Sequence, residues 1–156
     1  MARSAEEVWR QGQPGLRWWG LRKVRIGLTG LTFDAAHYTP SGGKCEDLHG
    51  HTFTVDVEIE GVPGEDGMIM DFRDLREKVK SILSSWDHAF IVPERDVSKL
   101  KLEGPFGLKL KVIKGPAATT ECMAVQLADE LRDALGLPVK VRVWEGPGKY
   151  AEAASA

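Results

Sequence analysis

Apolar and polar positions alternate cleanly from His49 to Glu60. Phe53, Val55, Val57 and Ile59 fall on one face, and Thr52, Thr54, Asp56 and Glu58 on the other. A period of two predicts a strand with one buried side. Arg22 to His37 alternates less strictly, with Val24, Ile26, Leu28 and Leu31 as apolar positions. Gly27 and Gly30 interrupt it and predict a bulge or a close backbone approach. Between the two strands, Thr39-Pro40-Ser41-Gly42-Gly43 reads as a loop, so together they make a hairpin with a long connection.

Past the turn-rich Gly61 to Gly67 the period lengthens. Asp71 is placed to cap a helix running to about Ser85, with Asp74 in its first turn and Phe72, Leu75, Val79, Ile82 and Leu83 as its apolar stripe. Pro93 to Gly107 is an irregular, charged connection, and Leu108 to Ile113 a short strand. A second helix starts at Thr119 or Thr120, buries Met123, Leu127, Leu131 and Leu135, and stops at Gly136. Val139, Val141 and Val143 alternate into a strand. The turn Gly146-Pro147-Gly148-Lys149 then leads to Tyr150-Ala151-Glu152 as a last strand. Hairpin, helix, helix, hairpin predicts an α+β fold: an antiparallel four-stranded sheet with two helices on one face. Residues 1–20, broken by Gln11-Gly12-Gln13-Pro14-Gly15, read as an N-terminal extension to a single domain over 21–156. Trp9, Trp18 and Trp19 are expected to lie against the protein's own surface or a neighbouring subunit.

Composition narrows the function classes. The chain has 156 residues, 42% hydrophobic and 28% charged, with a formal net charge of −2. This ordinary balance supplies no global attraction to nucleic acid or to a membrane surface, although a local basic pocket remains possible. The apolar runs are too short to cross a bilayer, and residues 1–20 carry no continuous apolar segment of the secretory kind. Cys45 and Cys122 do not make a disulfide framework. The expectation is a cytoplasmic protein with no membrane or nucleic-acid partner.

Four histidines carry most of the chemical information. His49 and His51 form a His-Gly-His at the start of a strand, and a spacing of two puts both rings on one face. His37 ends the preceding strand and can meet them across the hairpin. Three imidazoles with an open fourth position suit a catalytic zinc site. The His-Gly-His alone fits ordinary surface or core histidines better; His37 shifts the balance toward metal without deciding it. Cys45 stands four residues before His49 in a Gly-rich loop, where an exposed thiol beside a cation can act as a base. Cys122, between Glu121 and Met123 inside the second helix, fits a packing role. Asp87-His88 suggests a carboxylate orienting an imidazole, although such a pair alone is more often a helix-end salt bridge or cap than a catalytic element.

Taken together, these segments resemble the 6-pyruvoyl-tetrahydropterin synthase family. Phe33-Asp34-Ala35-Ala36-His37 followed by Cys45-Glu46-Asp47-Leu48-His49-Gly50-His51 is similar to its zinc and cysteine signature. Gly67-Met68-Ile69-Met70-Asp71-Phe72 resembles its step into the first helix, and Asp87-His88 its catalytic pair. Thr119-Thr120-Glu121 resembles the opening of its second helix, and Val143-Trp144-Glu145 the strand bearing its pterin-anchoring glutamate. The resemblance runs over about residues 22–153 and implies a role for each matching position. His37, His49 and His51 would bind zinc. Cys45 would remove a side-chain proton, helped by Asp87 and His88. Glu145 would accept hydrogen bonds from the pterin, with Thr119 and Thr120 completing the pocket. Asp71 and Glu121 would fix their helices.

Three residues between the cysteine and the His-Gly-His resemble the 6-carboxytetrahydropterin synthases of deazapurine tRNA-base pathways; five are usual in the animal pyruvoyl enzymes. The implied reaction converts 7,8-dihydroneopterin triphosphate to 6-carboxy-5,6,7,8-tetrahydropterin, with loss of triphosphate and acetaldehyde. Relatives that cleave dihydroneopterin to 6-hydroxymethyl-dihydropterin typically have glutamate in place of the cysteine; here Cys45 is present, with Glu46 beside it. A zinc-dependent pterin or purine binder without turnover is the reading outside catalysis. Trp86, Cys122 and Gly146 depart from the usual residues, and Trp86 and Gly146 are expected to border the site. Lys44, Arg25 and Lys149 are the candidate phosphate contacts. The resemblance also implies a tunnelling fold, or T-fold: three sheets joined into a barrel and two trimers stacked as a homohexamer, with the site shared between subunits.

Overall fold

The computed structural model describes residues 22–156; the expected N-terminal extension, with its three tryptophans, lies outside them. Strand β1 (Val24–His37) pairs antiparallel with β2 (His49–Gly61), and helix α1 (Phe72–Leu83) follows. Next come β3 (Ala89–Pro93), a 3₁₀ segment (Glu94–Lys99) and β4 (Leu110–Ile113). Helix α2 (Thr120–Leu135), β5 (Val139–Glu145) and β6 (Tyr150–Ala154) complete the order. The described strands form one six-stranded sheet in the order β4-β3-β1-β2-β5-β6.

This corrects the expected four-stranded antiparallel sheet. β3 runs parallel to both β1 and β4, so the sheet is mixed. The sequence pattern predicts no strand at Ala89–Pro93, and all five of its residues are buried. A strand buried on both faces has no alternation to betray it.

The hairpin follows its sequence pattern closely. Phe53, Val55, Val57 and Ile59 are buried together with Leu28, Leu31 and Phe33 of β1. The register shifts between Leu28 and Leu31, where one extra residue keeps both leucines on the core side. Gly30 sits in that bulge at φ 72°, and its N–H donates to Asp56 Oδ1 at 3.0 Å. Gly27 is needed for a different reason: a Cβ there would lie 2.6 Å from the Val57 carbonyl oxygen.

Both helices cover the same face of the sheet. Asp71 caps α1 by accepting from the Arg73 N–H, and Leu75, Val79 and Leu83 enter the core. Phe72, expected in that stripe, is 55% exposed; it stands at the first helical position, clear of the sheet. Thr119 caps α2 by accepting from the Cys122 N–H, and Met123, Ala124, Leu127, Ala128 and Leu131 are fully buried. Trp86 also belongs to the core. It is fully buried beside Phe33, and its indole N–H donates to Glu130 Oε2 at 2.9 Å. Its side chain therefore faces the core, although it directly precedes Asp87.

Candidate active site and metal centre

Register alone brings the three histidines together. His37 faces His49 directly across the β1–β2 ladder, and His51 lies two residues further along β2, opposite Ala35. The ring centroids are 4.7 Å apart for His37 and His49, 5.2 Å for His37 and His51, and 4.9 Å for His49 and His51. One ligand nitrogen from each ring falls within 4.8 Å of the other two.

Two backbone carbonyls set the tautomers. His37 Nδ1 lies 2.7 Å from the Ala118 oxygen, and His49 Nδ1 lies 2.7 Å from the Asp47 oxygen. A carbonyl only accepts, so both Nδ1 atoms carry the proton and both Nε2 lone pairs are left for a metal. Sequence reasoning missed these carbonyls because no residue type marks a main-chain acceptor.

The donor set fits a metal ion. His37 Nε2 and His51 Nε2 are buried without a hydrogen-bond partner. Such orphaned atoms are costly unless a bound group occupies the gap, and a metal ion suits lone pairs that converge from three rings. His51 Nε2 is 3.5 Å from Glu145 Oε1, close but not hydrogen-bonded. Burial pushes the pKa of both His37 and His51 down, only partly opposed by the Glu145 charge and, for His37, by the Ala118 bond. Both rings are thereby held neutral, the form that ligates a metal.

Glu145 ends β5 beside this cluster, and its Oε2 accepts from the Thr120 hydroxyl at 2.7 Å. Glu145, Thr119, Thr120 and Cys45 line one cavity of about 410 Å³, together with Lys149 and Tyr150. Cys45 is free and exposed at the end of a short 3₁₀ turn, Gly43–Cys45. Among the candidate phosphate contacts, Lys149 lines this cavity and Lys44 is exposed on the turn beside Cys45. Arg25 does not belong here. It lies near the opposite end of β1 from His37, paired with Glu60 at 3.1 Å. Cys122 is half-buried against the core, as packing predicts.

Asp87 and His88 face elsewhere. His88 Nδ1 is 2.9 Å from Asp87 Oδ2, and Asp87 Oδ1 accepts from the Asp34 N–H at 2.9 Å. Those two bonds, the Asp34 one first, hold the Asp87 carboxyl below its usual range. His88 lines a second cavity, of about 620 Å³, with His51, Thr52, Leu48, Phe90 and Phe106. Cys45 is not among that cavity's lining residues, nor is His88 among those of the first. Within one chain Cys45 and His88 therefore line separate cavities, and His51 of the cluster lines the one that holds His88.

Comparison with known proteins gives a consistent result. The family described as 6-pyruvoyl tetrahydropterin synthase matches residues 29–156. A putative 6-carboxy-5,6,7,8-tetrahydropterin synthase of Pyrococcus abyssi is 35% identical, covering 77% of this chain and 83% of its own. The 6-carboxy-5,6,7,8-tetrahydropterin synthase of Haemophilus influenzae is 35% identical, covering 78% and 93%. A dihydroneopterin monophosphate aldolase of Pyrococcus furiosus is 32% identical, covering 80% and 91%. The Plasmodium falciparum 6-pyruvoyl tetrahydropterin synthase shares the fold, with a TM-score of 0.70 at 23% identity over 85% of this chain and 97% of its own. The three-histidine cluster, the glutamate beside it and the match over most of the sequence lead to one conclusion: this chain belongs to the 6-pyruvoyl tetrahydropterin synthase family.

Proposed function

We propose that this member of the family is a zinc-dependent lyase acting on 7,8-dihydroneopterin triphosphate. Water enters, 6-carboxy-5,6,7,8-tetrahydropterin forms, and triphosphate and acetaldehyde leave. The observation that carries the reading is the shared cavity of Cys45 and Glu145 beside three clustered histidines, of which His37 and His51 have orphaned ring nitrogens. The similarity to two 6-carboxytetrahydropterin synthases supports this product.

His37, His49 and His51 would hold the metal, and zinc there would supply a Lewis acid for a side-chain oxygen of the substrate, making the adjacent C–H more acidic. The Glu145 carboxylate accepts hydrogen bonds from the pterin's amino group and ring N–H. Its two oxygens match that pair of donors and reject rings that lack them. Thr120 holds the carboxylate in place. Cys45, on its exposed turn, takes the side-chain proton as base. Asp87 and His88 complete the proton path from a neighbouring subunit.

Sheet edges support that last element. β4 and β6 are the outer strands of the described sheet, and an open edge invites pairing with another chain. Three sheets joined as a barrel, and two such trimers stacked as a hexamer, would bring the His88 cavity of one chain against the Cys45 cavity of the next. The product for the tRNA-base pathway follows from the carboxy assignment.

A second reading has its own support. The aldolase of Pyrococcus furiosus is 32% identical, and side-chain cleavage to 6-hydroxymethyl-dihydropterin needs the same metal and pterin anchor. Incubating the zinc-loaded protein with dihydroneopterin triphosphate and, separately, with dihydroneopterin monophosphate tests both. A carboxy product of the expected mass from the triphosphate supports the first reading. A hydroxymethyl or pyruvoyl product overturns it in favour of the corresponding relative, and no product from either substrate leaves a binding protein.

A further inference from the structure

We infer that Lys109 is a positioning residue for the Asp87–His88 pair, fixing the corner from which His88 reaches its cavity. The inference rests on the function proposed above, in which that pair moves a proton. His88, at φ 56°, is the one non-glycine residue in the left-handed region among the described residues. That conformation costs energy and persists only where neighbouring groups hold it.

Two clamps hold this corner, one on each side. On the β1 side, the His88 N–H donates to the Asp34 carbonyl oxygen at 2.6 Å, and the Asp34 N–H donates to Asp87 Oδ1 at 2.9 Å. On the other side stands Lys109, just before β4. Its ammonium donates to the Ser84 oxygen at 2.6 Å and to the Asp87 oxygen at 2.8 Å. Its own carbonyl accepts from the Phe90 N–H at 2.8 Å. Lys109 thus binds the chain both before and after His88. The Ser84 carbonyl lies at the C-terminal end of α1, where an ammonium is favoured by the helix dipole.

Lys109 is not placed to do chemistry itself. Its ammonium is engaged with two main-chain carbonyls, while the His88 side chain is 76% exposed and lines the same cavity. The ammonium also adds a minor downward pull on the Asp87 carboxyl, smaller than those of Asp34 and His88. Its effect on the reaction therefore runs through the placement of Asp87 and His88.

The test uses the full zinc-loaded chain and three variants, Lys109→Met, Lys109→Gln and Lys109→Arg, each checked for retained zinc and fold. With dihydroneopterin triphosphate, Lys109→Met and Lys109→Gln lose about 10- to 100-fold in kcat, the scale of a misplaced catalytic group. KM stays within about twofold, because ground-state binding is untouched. Lys109→Arg, which keeps charge and donors, recovers most of the loss. His88→Ala keeps a residual activity, about 100-fold down, and in that background Lys109→Met has no further effect; an equal additional loss there overturns the inference. A second readout needs no turnover. With four histidines in the chain, ring-labelled histidine gives a countable NMR spectrum, in which His88 is assigned by its loss in His88→Ala. The His88 resonance moves in Lys109→Met and returns in Lys109→Arg, while those of His37, His49 and His51 stay. An unmoved His88 resonance overturns the inference whether or not the wild type turns over the pterin. A moved resonance in a wild type without turnover supports the positioning and overturns the reaction assigned above.

Discussion

The hydroxyl of Thr120, the first residue of α2, donates 2.7 Å to Glu145 Oε2 at the end of β5. Helix and strand thus meet at the carboxylate proposed to anchor the pterin, and the other oxygen stands 3.5 Å from His51. Losing the Thr120 bond frees the carboxylate without removing it. Thr120→Val is expected to weaken pterin binding by about 5- to 30-fold, or 1–2 kcal/mol. Glu145→Gln, which removes the charge, should weaken it by about 100-fold or more. Direct titration with a pterin checks both, with zinc content unchanged in the threonine variant. Wild-type affinity in Thr120→Val would show that Glu145 needs no such support.

His49 offers the clearest test of the metal. Its ring is half-buried and its neighbours Asp47 and Leu48 are exposed, so truncation leaves the core intact. Purified wild type should carry about one zinc per chain, and His49→Ala should lose tight binding with the sheet still folded. Metal analysis and circular dichroism together decide this. Full zinc retention in the variant would sink the assignment.

Cys45 separates chemistry from binding. Cys45→Ala should lose at least about 100-fold in kcat, as removal of a general base does. Zinc content and pterin affinity should change little, since the base acts mainly in the transition state. If turnover survives at the wild-type rate, the base lies elsewhere, and Glu46 or His88 becomes the next candidate.

Cys45 and His88 line different cavities of one chain, which makes subunit mixing informative. Cys45→Ala and His88→Ala are each expected to keep only a residual activity alone, about 100-fold down. After subunit exchange between equal amounts, about one site in four should recover, because each donor is intact half the time in a closed ring. Activity that stays at baseline after confirmed exchange rules out a site shared between subunits.

The bulge in β1 sets up a contrast in stability. A Cβ at Gly27 would lie 2.6 Å from the Val57 carbonyl oxygen, while one at Gly30 meets nothing within 4 Å. Gly27→Ala must push two paired strands apart and should cost about 1–3 kcal/mol. Gly30→Ala pays only for its left-handed backbone, about 1 kcal/mol. Thermal unfolding of the two variants should therefore rank Gly27→Ala as the less stable; the reverse order would falsify this account of the bulge.

Much of the fold is written locally. The alternation of Phe53, Val55, Val57 and Ile59 determined which face of β2 is buried, and Asp71 and Thr119 announced both helix starts. The same alternation determined the histidine cluster, because residues two apart share a face and the hairpin register sets His37 opposite His49. Tertiary structure decided what no local pattern encodes. Ala89–Pro93 became a strand because β1 and β4 flank it, and its uniformly apolar run carries no period of its own. Trp86 turned into the core and Phe72 out of it, since burial depends on what lies opposite and not on residue type alone. The orienting carbonyls of Ala118 and Asp47, and the grip of Lys109 on the Asp87 corner, are main-chain contacts. Every residue has a carbonyl, so only the folded path of the chain could select these three.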